Sequence, residues 1–172
     1  MIRGKGFTLI ESIIVIVVMG LAMVTITSFL VPQVSRSADP HYQARASALG
    51  QSVMSLILAR SFDENSDRSG GELRCGEVTA EPCSTTLGDN GEASVDLYND
   101  VDDYKGCWEP NSANNCKDLN ALVGEAGTTT YRNFRLDIDV TYETVDQLKR
   151  IDLTVSASNQ TPINLSAYRG NY

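Results

Sequence analysis

Apolar residues are distributed along this chain of 172 residues in three different ways, and each predicts a different element. Residues 12–35 carry no charge, and the string Ile13-Ile14-Val15-Ile16-Val17-Val18-Met19 continues past Gly20 into Leu21-Ala22-Met23-Val24. A segment apolar on every face predicts a membrane-crossing helix, because about 20 residues rising ~1.5 Å each span a ~30 Å hydrocarbon core. A cleaved secretory signal has an apolar centre of only ~7–15 residues and ends in an A-x-A site, which does not follow here. A buried core helix of this character would need more enclosing chain than remains. Arg3 and Lys5 precede the run and Arg36 follows it, so the short N-terminus belongs on the cytoplasmic side and the bulk of the chain is exported.

The second pattern has helical period. Asp39 followed by Pro40 reads as an N-cap and first-turn proline from which a helix restarts. Ala46, Leu49, Val53, Leu56, Ile57 and Arg60 then fall on one face, apolar except for the last. Gly50 within this stretch is expected to weaken the helix by about 1 kcal/mol relative to Ala.

The third pattern has period two. Phe134, Leu136, Ile138, Val140 and Tyr142 alternate with Arg135, Asp137, Asp139 and Thr141, which is the pattern of a half-buried strand. Ile151, Leu153, Val155 and Ala157 repeat it after a polar link, and Ile163 and Leu165 do so again. Three strands with short links predict an antiparallel meander whose apolar face is covered by the amphipathic helix. Ala93, Val95 and Leu97 predict a further short strand. Residues 61–92, with Gly70-Gly71 and Asn90-Gly91 as turn signals, and residues 99–127 read as loops. The fold class is therefore α+β, a long N-terminal helix packed on a C-terminal antiparallel sheet.

Charge narrows the possible partners. There are 22 acidic against 14 basic residues, a net charge of −8, and all but one of the acidic residues follow Pro32. Nucleic acid needs clustered Lys and Arg and is excluded as a partner. Cys75, Cys83, Cys107 and Cys116 form two local pairs in an exported domain, so disulfides Cys75–Cys83 and Cys107–Cys116 are expected, with the two crossed pairings as alternatives. Zinc is disfavoured by the spacings. Asp96, Asp100, Asp102 and Asp103, with Asp89 and Glu92, form an acidic run that is a candidate for calcium, but it lacks the order of an EF-hand loop. A solvated acidic surface is the simpler expectation for it.

His41 has no nucleophile motif around it, and no cofactor is implied. Asn159-Gln160-Thr161 and Asn164-Leu165-Ser166 match the N-glycosylation pattern. Tyr104 and Trp108 suit either core cover or an adhesive surface, the core being the commoner use.

One residue does not suit a plain anchor. Glu11 stands at the upstream end of the apolar run, where an unpaired carboxylate near the bilayer centre would cost roughly 2.5–3.5 kcal/mol. No Lys or Arg lies within a helical turn on its C-terminal side, so either the carboxylate reaches out to the headgroups or its counter-charge comes from processing or from another chain. Across this junction the sequence Gly6-Phe7-Thr8-Leu9-Ile10-Glu11-Ser12 closely resembles the processing site of type IV pilins and type II secretion pseudopilins.

That resemblance implies cleavage after Gly6 by an inner-membrane prepilin peptidase, N-methylation of Phe7, and pairing of Glu11 with the N-terminal amine of a neighbouring subunit. The stretches Ser37-Ala38-Asp39-Pro40-His41-Tyr42-Gln43-Ala44-Arg45-Ala46, Ser61-Phe62-Asp63-Glu64-Asn65-Ser66-Asp67 and Val101-Asp102-Asp103-Tyr104 are similar to minor pilins of the mannose-sensitive haemagglutinin (MSHA) type. The first proline, Pro32, falls later than the helix kink of many major pilins.

On this reading residues 1–6 are a leader, 7–31 a transmembrane and filament-core helix, 32–60 its amphipathic continuation, and 61–172 a disulfide-stapled head. The implied partners are other pilin subunits, prepilin peptidase, the membrane and the inner-membrane assembly platform, and the chain is a peptidase substrate rather than an enzyme. A minor pseudopilin and an adhesive tip module are the alternatives.

Overall fold

The structure, a computed structural model, describes residues 8–68, 73–124, 130–157 and 160–172, with backbone alone at residues 31–39. The Gly70-Gly71 turn, Asn159 and the processing residues Gly6 and Phe7 lie outside the described residues. The chain divides into two compact units, Met1–His41 and Tyr42–Tyr172.

The first unit is helical. Helix α1 spans Leu9–Leu58 and therefore runs on into the second unit. It continues through Asp39 and Pro40 without the restart expected there. A proline within a long helix removes one i→i−4 hydrogen bond and leaves the turns on either side intact, so it need not end the element. Thr8 begins α1: its carbonyl accepts from the Glu11 N–H at 3.1 Å and its Oγ1 lies 3.4 Å from the same nitrogen. Between Leu9 and Leu30, 22 residues, none of the helix is buried, and the stretch is long and apolar enough to cross a membrane.

In the second unit the described strands form one mixed sheet in the order β2-β1-β3-β4-β5. The meander is as the alternation predicts: β3 (Phe134–Thr144), β4 (Leu148–Ala157) and β5 (Ile163–Gly170) pair antiparallel in sequence order. Leu136 faces Val155, Ile138 faces Leu153 and Val140 faces Ile151, so the apolar residues of both strands share a face. A bulge between Tyr142 and Thr144 precedes the link, where Asp146 takes a positive φ of 60°.

The sheet departs from the expected purely antiparallel form at its other edge. β1 (Gly106–Glu109) pairs antiparallel with β3, and the two-residue β2 (Lys117–Asp118) pairs parallel with β1. An irregular excursion, Pro110–Asn115, with positive φ at Asn111, Ser112, Asn114 and Asn115, brings the chain back alongside β1 in the same direction, and the Cys107–Cys116 disulfide closes it. The expected strand around Ala93, Val95 and Leu97 is instead a 3-10 turn, Val95–Leu97, with Leu97 exposed. Three alternating apolar residues with no strand beside them lack the ladder that defines a strand. A short helix α2, Leu119–Leu122, is capped by Asp118, whose side chain accepts from the Asn120 N–H.

The core of this unit joins Ala46, Leu49, Val53, Met54 and Ile57 of α1 to the inward rows of β3 and β4. Gly50 sits in that contact with no room for a side chain: a Cβ there would stand 2.7 Å from Leu165 Cδ1 and 3.0 Å from Val155 Cγ2. The residue that costs the helix propensity thus lets helix and sheet approach closely. Trp108 and Tyr104 are fully buried, which settles them as core residues rather than an adhesive surface. The Trp108 indole N–H donates to the Tyr104 carbonyl at 2.9 Å, and the Arg60 guanidinium Nε donates to the Tyr104 hydroxyl at 2.9 Å. Arg60, the charged end of the otherwise apolar helical face, is accommodated by that bond.

Candidate functional site

In the first unit the sites are properties of the helix end. Glu11 lies in the first turn of α1, exposed, three residues after Thr8. The Thr8-x-x-Glu11 spacing is that of a capping box, in which the threonine oxygen serves an otherwise orphaned N–H of the first turn. The side chains around Glu11, Leu9, Ile10, Ile13 and Ile14, are at least half exposed, so this end of the helix offers an apolar surface carrying one carboxylate.

The second unit holds a buried polar cluster that the sequence pattern does not announce. Lys149 lies on the inward row of β4, opposite Tyr142 of β3, and is fully buried. Its ammonium donates to the Phe62 carbonyl at 2.7 Å, to Asp63 Oδ2 at 3.0 Å, and to Asp102 Oδ1. The rings of Phe62 and Tyr142 lie 4.7 and 5.2 Å from Nζ. Asp63 also accepts from the backbone N–H groups of Asn65 and Ser84 and from the Ser84 hydroxyl. Burial pushes the Asp63 carboxyl up, but the Lys149 charge and these donors outweigh it and hold the group below the usual carboxylate range. The Tyr142 hydroxyl donates to the Ser84 carbonyl at 2.9 Å, and burial, with the charges of Asp63 and Asp102, holds this phenol protonated well above its ordinary range.

Asp100, Asp102 and Asp103 are all fully buried, which corrects the expectation of a solvated acidic surface; Asp96 alone of the four candidates is exposed. The reason is local. Asp100 Oδ1 accepts from the N–H groups of Asp102 and Asp103, and Asp103 Oδ2 accepts from those of Asn99 and Asp100, so the carboxylates serve as the turn's own hydrogen-bond acceptors. Three buried carboxylate oxygens have no donor among the described residues: Glu92 Oε2, Asp100 Oδ2 and Asp103 Oδ1. Burial, then the charges of Asp102 and Asp103, raise the Asp100 carboxyl to about 8. Burial and the neighbouring Asp103 raise Glu92 to about 7. A proton on Asp100 or Glu92 supplies a donor that facing carboxylates lack, and the raised values favour keeping it. Among the described residues no three acidic, cysteine or histidine side chains are arranged to hold a metal ion, so the calcium candidate gains no geometric support.

Both disulfides are the local ones: Cys75–Cys83 with Cα atoms 4.8 Å apart and Cys107–Cys116 with 4.9 Å. Near the C-terminus, the Asn171 amide donates to the Cys75 carbonyl at 3.0 Å and to the Asp146 carbonyl at 2.8 Å, tying the first disulfide loop to the β3–β4 turn. Lys117 bonds the Asp103 carbonyl and Asp89 and lies over the Tyr98 and Trp108 rings. No family model, characterised protein or solved structure matches this chain.

Proposed function

We propose that this chain is a minor subunit of a type IV pilus of the MSHA kind: a protein anchored in the bacterial inner membrane, cleaved after Gly6, methylated at Phe7, and taken into a filament used for surface attachment. The observation that carries this reading is the string Gly6-Phe7-Thr8-Leu9-Ile10-Glu11 leading directly into a helix whose Leu9–Leu30 stretch is long and apolar enough to cross a membrane, with Glu11 as its one charge. The small residue at Gly6 lets a peptidase reach the backbone, and cleavage creates the amine that Glu11 lacks as a counter-charge. Side-by-side packing of exposed aliphatic side chains from successive subunits then forms the filament core, and the carboxylate–amine pair fixes their axial register.

The head supports the same reading by its economy. It is an α+β unit stapled by two disulfides, suited to an oxidising exported compartment. The chain's partners in this account are other pilin subunits, the peptidase and the membrane assembly platform. Expression of Glu11→Ala in cells lacking the native copy tests the role of the carboxylate. The variant protein remains in the membrane fraction and is lost from sheared filaments, whereas normal incorporation contradicts the assignment.

A further inference from the structure

We propose that Lys149 and Asp102 condense to an intramolecular isopeptide bond, giving the head a covalent cross-link between β4 and the loop at residues 99–104. The inference is independent of the filament reading. It begins from a buried nucleophile that assembly does not use: a lysine amine, fully buried, held against the carboxylates of Asp102 and Asp63 and walled by the Phe62 and Tyr142 rings. Amide formation from an amine and a carboxylic acid is opposed in water by solvation of the ion pair and by the water activity itself. Both obstacles fall in a dry enclosure, and fixing the two groups in contact replaces a bimolecular encounter with a high effective concentration. Burying an ammonium and a carboxylate costs several kcal/mol for each ion, and condensation removes both charges.

The two carboxylates have different surroundings, which assigns their roles. Asp63 is bonded by the Asn65 and Ser84 N–H groups and the Ser84 hydroxyl, an arrangement that keeps it ionised 3.0 Å from Lys149 Nζ, in place to accept the acidic proton the nitrogen carries once it has attacked. Asp102 Oδ2 accepts one backbone N–H, that of Gly88 at 3.3 Å, a donor directed at the oxygen where negative charge grows during attack. In the reaction the Lys149 ammonium passes one proton to the Asp102 carboxylate, giving a neutral amine and acid. The nitrogen lone pair attacks Asp102 Cγ, and Asp63 takes a proton from the attacking nitrogen and delivers it to the departing hydroxyl. The Cγ–O bond breaks, one water leaves, and the amide keeps a single N–H. Asp63 returns to its starting state, and no oxidant or cofactor is consumed.

Peptide mass analysis of the full chain, extracted from membranes in detergent, reduced, alkylated and digested with trypsin, tests this. Trypsin leaves residues 75–105 whole, and an acylated Lys149 cannot be cut, so the expected product is a branched species joining 75–105 to 136–150, lighter than the two peptides together by one water. Recovery of the unlinked peptides alone from the wild-type chain overturns the proposal whatever any variant does. The Lys149→Arg chain lacks the branched species if the link is placed correctly. The Asp63→Asn chain, judged folded by formation of both disulfides, is expected to lose the link; a link that persists there overturns the role given to Asp63.

Discussion

Lys149 Nζ lies 3.0 Å from Asp63 Oδ2 with neither side chain exposed, joining the middle strand of the meander to the segment that follows α1. Removing the lysine leaves two buried carboxylates, Asp63 and Asp102, facing rings and carbonyl oxygens. Lys149→Met leaves those two charges unpaired and also removes the cross-link proposed above, so it is expected to destabilise the head by about 3–5 kcal/mol or more. Urea unfolding followed by tryptophan fluorescence, for which Trp108 is the single reporter, measures it; a loss below about 1 kcal/mol, the range of exposed pairs, contradicts the account.

Gly50→Ala sets helix propensity against packing. Alanine favours the helix by about 1 kcal/mol, but its Cβ meets Leu165 and Val155 at 2.7 and 3.0 Å. Overpacking of this kind costs about 1–3 kcal/mol, so the variant is expected to unfold at lower denaturant than the parent. A midpoint raised by the substitution would show that the helix can lift from β4 and β5 without loss.

Stability of the head depends on pH in two opposed ways. Glu92 and Asp100 have folded values raised to about 7 and about 8, so the folded state holds protons that the unfolded chain gives up near ordinary carboxylate values. Their contribution is full in acid and declines as pH rises through the folded values. Asp63 is depressed, so its contribution is present above its unfolded value and declines as pH falls through the depressed folded one. Unfolding midpoints are expected to be highest in mildly acidic solution, to fall as pH rises from about 4 to about 8, and to level off above that, with Asp100→Asn flattening the decline. An unchanged slope across that range in Asp100→Asn would contradict the assignment.

The Cys107–Cys116 disulfide holds the excursion between β1 and β2, and β2 has only two residues to secure itself. Replacing both cysteines with serine is expected to cost about 2–3 kcal/mol, the loop-entropy value for a closure this short. Hydrogen exchange would locate the loss at β1 and β2 while β4, the central strand of the meander, stays protected.

Much of this architecture is legible in the sequence where a pattern repeats within one element. The alternations from Phe134 and Ile151 and the row Ala46, Leu49, Val53 and Ile57 each carry their own period, and the cysteine pairs are close enough to name their partners. β1 and β2 were not legible because four-residue and two-residue strands contain too little alternation, and what makes them strands is a ladder to β3, distant in sequence. Lys149 did leave a signal: counting back by two from Ile151 places it on the core-facing row. Its counter-charges come from Asp63 and Asp102, in loops whose polar composition looks like solvent exposure, so the burial of that cluster is visible only once the chain is folded. The packing role of Gly50 is hidden from the sequence for a similar reason, since propensity is local and the approach of Leu165 is not.

The central claim concerns the N-terminus, and N-terminal peptide mass analysis of the protein recovered from sheared filaments tests it most directly. A mature chain beginning at N-methylated Phe7, with residues 1–6 removed, is the result predicted. Recovery of the chain in every fraction with Met1 still attached would contradict it.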